Sequence, residues 1–191
     1  MSDHQHEHPS PLGPQADASV REARVNDAPA VGTVQSAVWR EGFAGLVPAE
    51  VLAGFEPLPF ARAWRASLER PPSPRHRLVV ACAGDQVVGY AAIGPCEDPD
   101  AEPGDGELLE LGIHPDARHQ GHGSRLLNAA VDLLREASFL HVYAWVPAGL
   151  PGSRAFLEAA GLRPDSARRE RVVGPDERDL LREVRLTCAL G

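Results

Sequence analysis

The stretch LGIHPDARHQGHGSRLL, residues 111–127, decides the fold. It is predicted to complete a strand that Pro115 stops, to turn through a short loop and to begin an amphipathic helix near Gly121. Gly121 and Gly123 let backbone N–H groups face a ligand without interference from a Cβ atom. Because the first N–H groups of a helix have no partner inside it and the helix dipole is positive there, the segment predicts a phosphate site.

Two common phosphate-binding loops do not fit this segment. It contains no Gly-Lys-Ser/Thr and is therefore not a Walker A loop. It also lacks the third glycine of the dinucleotide-binding fingerprint, and the order of predicted strands around it is wrong for that fold.

Hydrophobic periodicity on both sides of the segment predicts a mixed α/β sheet in the order β-α-α-β-β-β-α-β-α-β-β. The helix after Gly121 has a buried face of leucine, alanine and valine, and a β-hairpin is predicted around Gly84-Asp85. Residues 1–19 are rich in His and Pro without periodicity, so they are predicted to be a disordered tail ahead of a single domain, residues 20–191.

Composition excludes several classes of protein. The chain has 191 residues, a formal net charge of −8 and a pI near 5.4, so nothing attracts it as a whole to nucleic acid or to anionic lipid. Its apolar runs are shorter than the roughly 20 residues of a membrane span. Cys82, Cys96 and Cys188 are scattered and predict neither a disulfide framework nor a metal site. With no apolar signal peptide core, these features predict a cytoplasmic protein.

The loop Arg118-His119-Gln120-Gly121-His122-Gly123 resembles the pyrophosphate loop of the GNAT acyltransferase superfamily, Arg/Gln-x-x-Gly-x-Gly/Ala. The segment ELLELGIHP, residues 107–115, is similar to the family's central strand, and SRAFLEAAGL, residues 153–162, to its second cofactor-side helix. The resemblance implies an α/β fold with a GNAT-like mixed central β-sheet flanked by helices, whose splayed central strands hold the cofactor.

The same resemblance implies that acetyl-CoA is the cosubstrate, with no metal. The backbone of residues 119–124 would cradle the pyrophosphate, and the strand backbone near residues 111–113 would pair with pantetheine. The Ile113 N–H would then polarise the thioester carbonyl. The cofactor-binding residues expected on this basis are Leu111, Ile113, Arg118, His119, Gln120, Gly121, His122, Gly123 and Ser124.

Two carboxylates are candidates for the general base that makes an amine neutral. Glu107 stands where several members of the family place a base, counted back from the glycine loop. Glu110 is the alternative, because on an alternating strand it faces away from Leu109, Leu111 and Ile113. Either carboxylate would have a raised pKa among apolar neighbours, and either could instead be an ordinary charge at the end of a strand.

The sequence also departs from the family pattern. Leu157 follows Phe156 where the family often has a Tyr that acts as general acid, and no Asn precedes this helix. Tyr143 on the neighbouring strand is a substitute candidate, or an aromatic residue of the sheet. His119 and His122 could contact phosphate as cations, or be exposed loop residues without a role. The arginines at positions 163, 168, 169 and 171 either attract acidic groups or form a solvated strand edge, and the solvated edge is the favoured interpretation.

These features favour an N-acetyltransferase that uses direct transfer, because no Cys lies by the loop. A non-catalytic acyl-CoA sensor and an unrelated nucleotide-binding module are the alternatives. The acceptor is expected to be a small-molecule or peptide amine, bound by residues 26–70, and the acidic charge balance favours a cation. Trp39 and Phe43 either line that pocket or anchor the core. Many relatives pair through C-terminal strands, so a homodimer is a further expectation.

Overall fold

The computed structural model describes residues 18–191. Seven strands form one sheet in the order β1-β2-β3-β4-β5-β7-β6, in which β4 and β5 are parallel and all other neighbours are antiparallel. The strands are β1 (Ala18–Glu22), β2 (Arg77–Ala83), β3 (Gln86–Pro95), β4 (Asp105–Ile113), β5 (His141–Pro147), β6 (Arg163–Val172) and β7 (Leu180–Ala189). The predicted mixed sheet is confirmed.

Helices cover both faces of the sheet. They are α1 (Ala28–Gly42), α2 (Ala49–Ala53), α3 (Pro57–Glu69), α4 (His122–Glu136) and α5 (Pro151–Ala159). On the α1 face, Val31 and Val34 pack with Val80 and Tyr90. On the α4 face, Leu126 and Leu134 belong to the larger core. Each apolar stripe therefore faces the sheet, as the helical spacing predicts.

Strands β4 and β5 splay apart. They are paired only from Asp105 to Glu107, opposite His141 to Tyr143. Beyond that point β4 keeps its pairing with β3 as far as Ile113, and β5 keeps its pairing with β7 as far as Pro147. The two strands thus open a gap between them on the carboxyl side of Glu107, which confirms the predicted splayed strands.

Several predicted boundaries need correction. The predicted tail includes Ala18 and Ser19, which pair with β2 in the structure, whereas the rest of that tail lies outside the described residues. Three helices rather than two separate β1 from β2. The glycine-broken stretch WREGFAGLVP, residues 39–48, predicts a loop. This prediction is wrong at its start, because α1 continues to Gly42 and is held there by the stacking of Trp39 on Phe43.

The alternation of the sequence predicts a strand near residues 168–173. In the structure β6 begins five residues earlier, at Arg163, because it regains its register with β7 across a bulge. Within residues 18–191 no helix is long and apolar enough to cross a membrane.

Candidate active site

The glycine loop presents a row of free backbone amides at the start of α4. Within residues 18–191, the N–H groups of residues 119–124 have no hydrogen-bond acceptor. His119 and Gly121 both adopt positive φ, 61° and 80°, which turns the chain sharply into the helix. Consecutive free amides at a helix N-terminus form an anion-binding concavity, so this backbone suits a pyrophosphate.

Side chains hold the loop in place. Arg118 pairs with Glu41 of α1 at 2.9 Å, and the Gln120 amide donates to the Asp116 carbonyl at 3.3 Å. The Arg125 guanidinium donates to the Gln120 carbonyl at 3.2 Å and lies 2.8 Å from where a Cβ on Gly121 would stand. Arg125 therefore adds a positive charge beside the free amides, and the sequence analysis did not single it out.

The two loop histidines have different environments, and the expectation of exposed loop residues is not met at His122. His119 is exposed, whereas His122 is buried, with 3% of its surface exposed. Its Nδ1 has no hydrogen-bond partner among the described residues. Burial lowers the pKa of His122, with a smaller contribution from Arg125, so its ring is neutral at pH 7. The exposed His119 is therefore better placed than the buried His122 for a contact with a bound phosphate.

The second half of β4 offers amides to the gap. His114 N–H donates to the Val88 carbonyl at 2.8 Å, and Gly112, two residues before His114 on β4, is paired with Tyr90, two residues after Val88 on β3. Because hydrogen bonding alternates along an antiparallel pair, the N–H groups of Leu111 and Ile113 point away from β3, into the gap. They have the orientation that an extended ligand lying between β4 and β5 would use.

Glu107 lies at the point where the gap opens. It is 7% exposed and, within residues 18–191, its carboxylate forms no ion pair or hydrogen bond. Burial raises the pKa of Glu107 to about 7. The positive charge of Arg169 opposes this increase, and the negative charges of Asp98, Glu183 and Glu97 add to it. A carboxyl with this pKa is ready to accept a proton near neutral pH.

Glu110 lies on the same face as Glu107. The register of β3 and β4 shifts at this place, with Ala92 opposite Glu110 and Ile93 opposite Leu108, so that Leu109 forms a β-bulge. Burial raises the pKa of Glu110 to about 7 as well, against the opposing effects of Arg171, Trp39 and Tyr90. The prediction that Glu110 faces away from Leu111 and Ile113 holds, since both pack on the opposite core. It fails for Leu109, the bulge residue, whose Cδ1 lies 3.2 Å from where a Cβ on Gly94, the register partner of Glu107, would stand.

Arginines from β6 neutralise a third carboxylate on this face. Arg169 and Arg171 bind Glu183 of β7 at 2.6 and 3.2 Å, and Glu183 is only 3% exposed. The interpretation of the arginine cluster as a solvated edge is wrong for these two residues, because alternation along β6 turns them inward. Glu183 is thus paired, whereas Glu107 is not.

A fourth group of charges ties the β3–β4 loop to the sheet. Arg185, which is 7% exposed, contacts Asp98 at 2.9 Å, Asp100 at 2.6 Å and Asp165 at 2.8 Å. The Trp145 indole N–H also donates to Asp98 at 2.9 Å. The described part of the chain contains no group of three or more His, Cys, Asp or Glu residues suited to a metal ion.

Tyr143 is the register partner of Glu107 across the last paired position of β4 and β5. Its ring lies 4.8 Å from the Arg185 guanidinium carbon. Burial raises the pKa of Tyr143, so its phenol stays protonated at neutral pH. The structure brings it next to the candidate base, and its role as an acid stays a prediction.

Helix α5 turns its two central residues in different directions. Leu157, at the position where a general acid was expected, is 6% exposed and belongs to the core. Phe156 instead lies by the loop, with its Cζ 3.5 Å from where a Cβ on Gly123 would stand. Phe156 is therefore the residue of α5 that approaches the loop and β4.

Residues 37–162, more than half of the chain, match the family model described as the acetyltransferase (GNAT) family. The chain belongs to the GNAT family. An uncharacterized N-acetyltransferase of Bacillus subtilis, YuaI, is 26% identical over 128 residues, which cover 67% of this chain and 70% of that protein.

Other similarities are shorter or concern the fold. A mycothiol acetyltransferase of Streptosporangium roseum is 37% identical over 83 residues, which cover 44% of this chain but only 22% of that enzyme. The crystal structure of the PaiA N-acetyltransferase from Thermoplasma acidophilum in complex with coenzyme A has a TM-score of 0.69 at 17% identity. It covers 87% of this chain, and this chain covers 98% of it. This likeness confirms the GNAT fold.

Besides Arg125, sequence reasoning missed three residues of this GNAT site: Asp98, Glu183 and Tyr90. Asp98 and Glu183 reach the face of Glu107 from a distant loop and strand, and only the tertiary fold brings them there. Tyr90 of β3 is fully buried, and its hydroxyl has no hydrogen-bond partner among the described residues. An aromatic residue within an apolar strand gives no sign in the sequence that its hydroxyl faces a carboxylate.

Proposed function

We propose that this GNAT protein is an acetyl-CoA-dependent N-acetyltransferase that moves an acetyl group directly to a primary amine. The observation that carries the proposal is Glu107, a buried carboxylate without a partner among the described residues, at the opening between β4 and β5. A buried, unpaired carboxylate costs stability and is typical of functional sites.

The residues around the gap fit coenzyme A. The free amides of residues 119–124 suit the pyrophosphate, with Arg125 and the exposed His119 beside them. The inward N–H groups of Leu111 and Ile113 suit the amides of pantetheine and the thioester carbonyl. Bound acetyl-CoA supplies an activated acetyl group as a thioester.

The chain's own residues then handle the proton. Glu107 takes a proton from the acceptor nitrogen, the nitrogen bonds to the acetyl carbon, and the carbon–sulfur bond breaks to release coenzyme A as a thiolate. The Ile113 N–H stabilises the negative charge that develops on the carbonyl oxygen. Tyr143, beside Glu107, is a candidate to protonate the thiolate.

Cysteine chemistry does not offer a rival route at this site. Cys96 is the cysteine near Glu107, and burial raises the pKa of its thiol to about 12, with Asp98 and Glu107 adding to the effect. A thiol with that pKa is not ionised at neutral pH and is a poor nucleophile. Direct transfer to the amine is therefore the mechanism that the site supports.

The acceptor is a small-molecule or peptide amine. A Brucella melitensis structure of the same fold is described as a ribosomal-protein-alanine N-acetyltransferase, with a TM-score of 0.66 at 23% identity. Protein N-termini are therefore worth including among the acceptors tested. A homodimer and a cytoplasmic location stay predictions from the sequence.

The test is transfer from radiolabelled acetyl-CoA to a panel of amines that includes polyamines, aromatic amines and peptides with free N-terminal alanine, with products identified by mass spectrometry. We expect an N-acetylated product from at least one amine. Tight coenzyme A binding without any product would favour the sensor instead. No binding of coenzyme A, with binding of ATP, would favour a nucleotide-binding module.

A further inference from the structure

Tyr90 carries a buried hydroxyl that the packing does not explain. Its side chain is 0% exposed, and its ring packs edge-on against Trp64 with centroids 5.6 Å apart. Its hydroxyl has no hydrogen-bond partner among residues 18–191. A buried polar group without a partner is unfavourable, and phenylalanine would supply the same ring without that cost.

The hydroxyl is directed along β4 toward Glu110. Tyr90 is opposite Gly112, and a Cβ on Gly112 would lie 2.8 Å from Cε1 and 3.3 Å from the hydroxyl oxygen of Tyr90. Glu110 is two residues before Gly112 on the same face, a diagonal neighbour that a tyrosine can reach. The Tyr90 hydroxyl and the Glu110 carboxylate lie close enough to interact, although they do not form a hydrogen bond in this geometry.

Glu110 is enclosed by groups from four other elements. Arg171 of β6 attracts it, Glu183 of β7 repels it, and Trp39 of α1 and Tyr90 of β3 lie beside it. Arg171 is already bound to Glu183, so it supplies Glu110 with only part of its charge. Glu110 as a whole residue is half-buried, so part of it remains exposed to solvent.

We propose that Glu110 binds the acceptor's ammonium group and that Tyr90 is the positioning residue that orients this carboxylate and favours its ionised form. The proposal rests on the proposed function, since it names the acceptor's subsite. A small rotation of Glu110 lets the Tyr90 hydroxyl donate to one carboxylate oxygen, which leaves the other oxygen for the acceptor nitrogen.

The bulge at Leu109 gives this subsite its place next to the base. Leu109 is the extra residue of the bulge and has no partner on β3. Glu107 and Glu110 therefore lie next to each other on one face, as residues i and i+2 of a regular strand do, and about 7 Å separates their Cα atoms. An ammonium bound to Glu110 is thus one side-chain length from Glu107. The acceptor class that this arrangement selects is a primary amine that arrives protonated.

The decisive experiment measures the titration of Glu110 itself, which does not require activity. Protein with ¹³C-labelled glutamate is titrated by NMR, and the Glu110 signal is assigned by its loss in Glu110→Gln. In Tyr90→Phe we expect the pKa of Glu110 to rise by about 0.5–1 pH unit, the effect of one lost hydrogen bond to the ionised form. The chain's other tyrosine supplies the control, because Tyr143→Phe should leave Glu110 unchanged.

An unchanged Glu110 titration in Tyr90→Phe would overturn the positioning role even if transfer is active. Where an amine from the panel is acetylated, Glu110→Gln and Tyr90→Phe should raise the KM for that amine at least tenfold and change kcat less. An unchanged KM in Glu110→Gln would overturn the subsite, whereas absence of transfer in the wild type would count against the proposed function alone.

Discussion

Glu107 and Glu110 lie on one face of β4 although three positions separate them, because Leu109 forms a β-bulge against β3. In a regular strand, residues three apart point to opposite faces. The bulge therefore brings both carboxylates to the α1 side, while Leu108 and Leu111 remain in the core on the α4 side. A single inserted residue creates the acidic face on which the proposed chemistry depends.

The two carboxylates should make folding stability depend on pH. The pKa of Glu107 is raised from 4.5 to about 7, so the folded state retains a proton that the unfolded state has lost. Stability therefore falls as pH rises from about 4.5 to about 7 and is level above that. Glu107→Gln should remove this loss. The free energy of unfolding of the variant should exceed that of the wild type by about 2–3 kcal/mol at pH 8 and be almost equal to it at pH 4.

Urea denaturation of both proteins at several pH values provides the measurement. Glu41→Gln is the matched control, because it makes the same substitution at a carboxylate on the surface. An equal stability difference at pH 4 and pH 8 would mean that Glu107 titrates normally.

Substitution of the loop glycines should remove coenzyme A binding. Gly121→Val forces a branched residue into a φ of 80° and toward the Arg125 guanidinium, and Gly123→Val inserts bulk beside Phe156. Loss of two charge-assisted hydrogen bonds, about 1.5–3 kcal/mol each, weakens binding by two orders of magnitude or more. Isothermal titration calorimetry measures the effect.

Gly152→Val serves as the control for these glycines, because a Cβ at Gly152 in α5 meets nothing within 4 Å. It should bind coenzyme A like the wild type. Unchanged affinity in both loop variants would mean that coenzyme A does not bind at this loop.

Helix α5 should accept a new hydroxyl at Phe156 and not at Leu157. Phe156→Tyr keeps the ring beside Gly123, so coenzyme A affinity should stay within a few fold and turnover should be at least that of the wild type. Leu157→Tyr places a larger side chain in a filled core and should lower the free energy of unfolding by about 1–3 kcal/mol. Each kcal/mol lowers the melting temperature by roughly 2–4 °C. Thermal denaturation and thiol-release assays on the two variants separate these outcomes, and the reverse ranking would mean that Leu157 faces the cofactor.

Arg185 should be essential for the fold around the site. Arg185→Ala leaves Asp98 and Asp165 without their main cation in a buried setting, at a cost of about 3–5 kcal/mol. Arg182→Ala, on a surface arginine of the same strand that is 83% exposed, should change stability by less than about 1 kcal/mol. Equal denaturation midpoints for the two variants would show that the Arg185 cluster contributes little.

Much of the fold could be predicted because its signals are local. Helix α4 has a strong apolar stripe and a glycine start, and the hairpin of β2 and β3 has a clear turn at Gly84, where φ is positive. The end of α1 could not be predicted from local signals. Gly42 favours an earlier break in the helix. The packing of Trp39 against three phenylalanines stabilises the last turn instead.

The same distinction between local signals and tertiary contacts applies to the candidate site. The loop of residues 118–124 and the candidacy of Glu107 could be predicted, because both rest on residues of one segment that resembles the GNAT pattern. The inward turn of Arg169 and Arg171, the burial of His122 and the approach of Tyr90 to Glu110 depend on which elements are neighbours in space. The bulge at Leu109 likewise arises from pairing with β3, and nothing in the sequence of β4 alone marks it.

The role of Glu107 as general base is tested most directly by the pH dependence of thiol release from acetyl-CoA. Wild type and Glu107→Gln are compared with an amine that the wild type acetylates. We predict that the wild-type rate rises with an apparent pKa near 7 and that Glu107→Gln is slower by about 10²–10⁴-fold, without that transition and with unchanged coenzyme A affinity. A Glu107→Gln profile that coincides with the wild-type profile would contradict the assignment of Glu107 as the base.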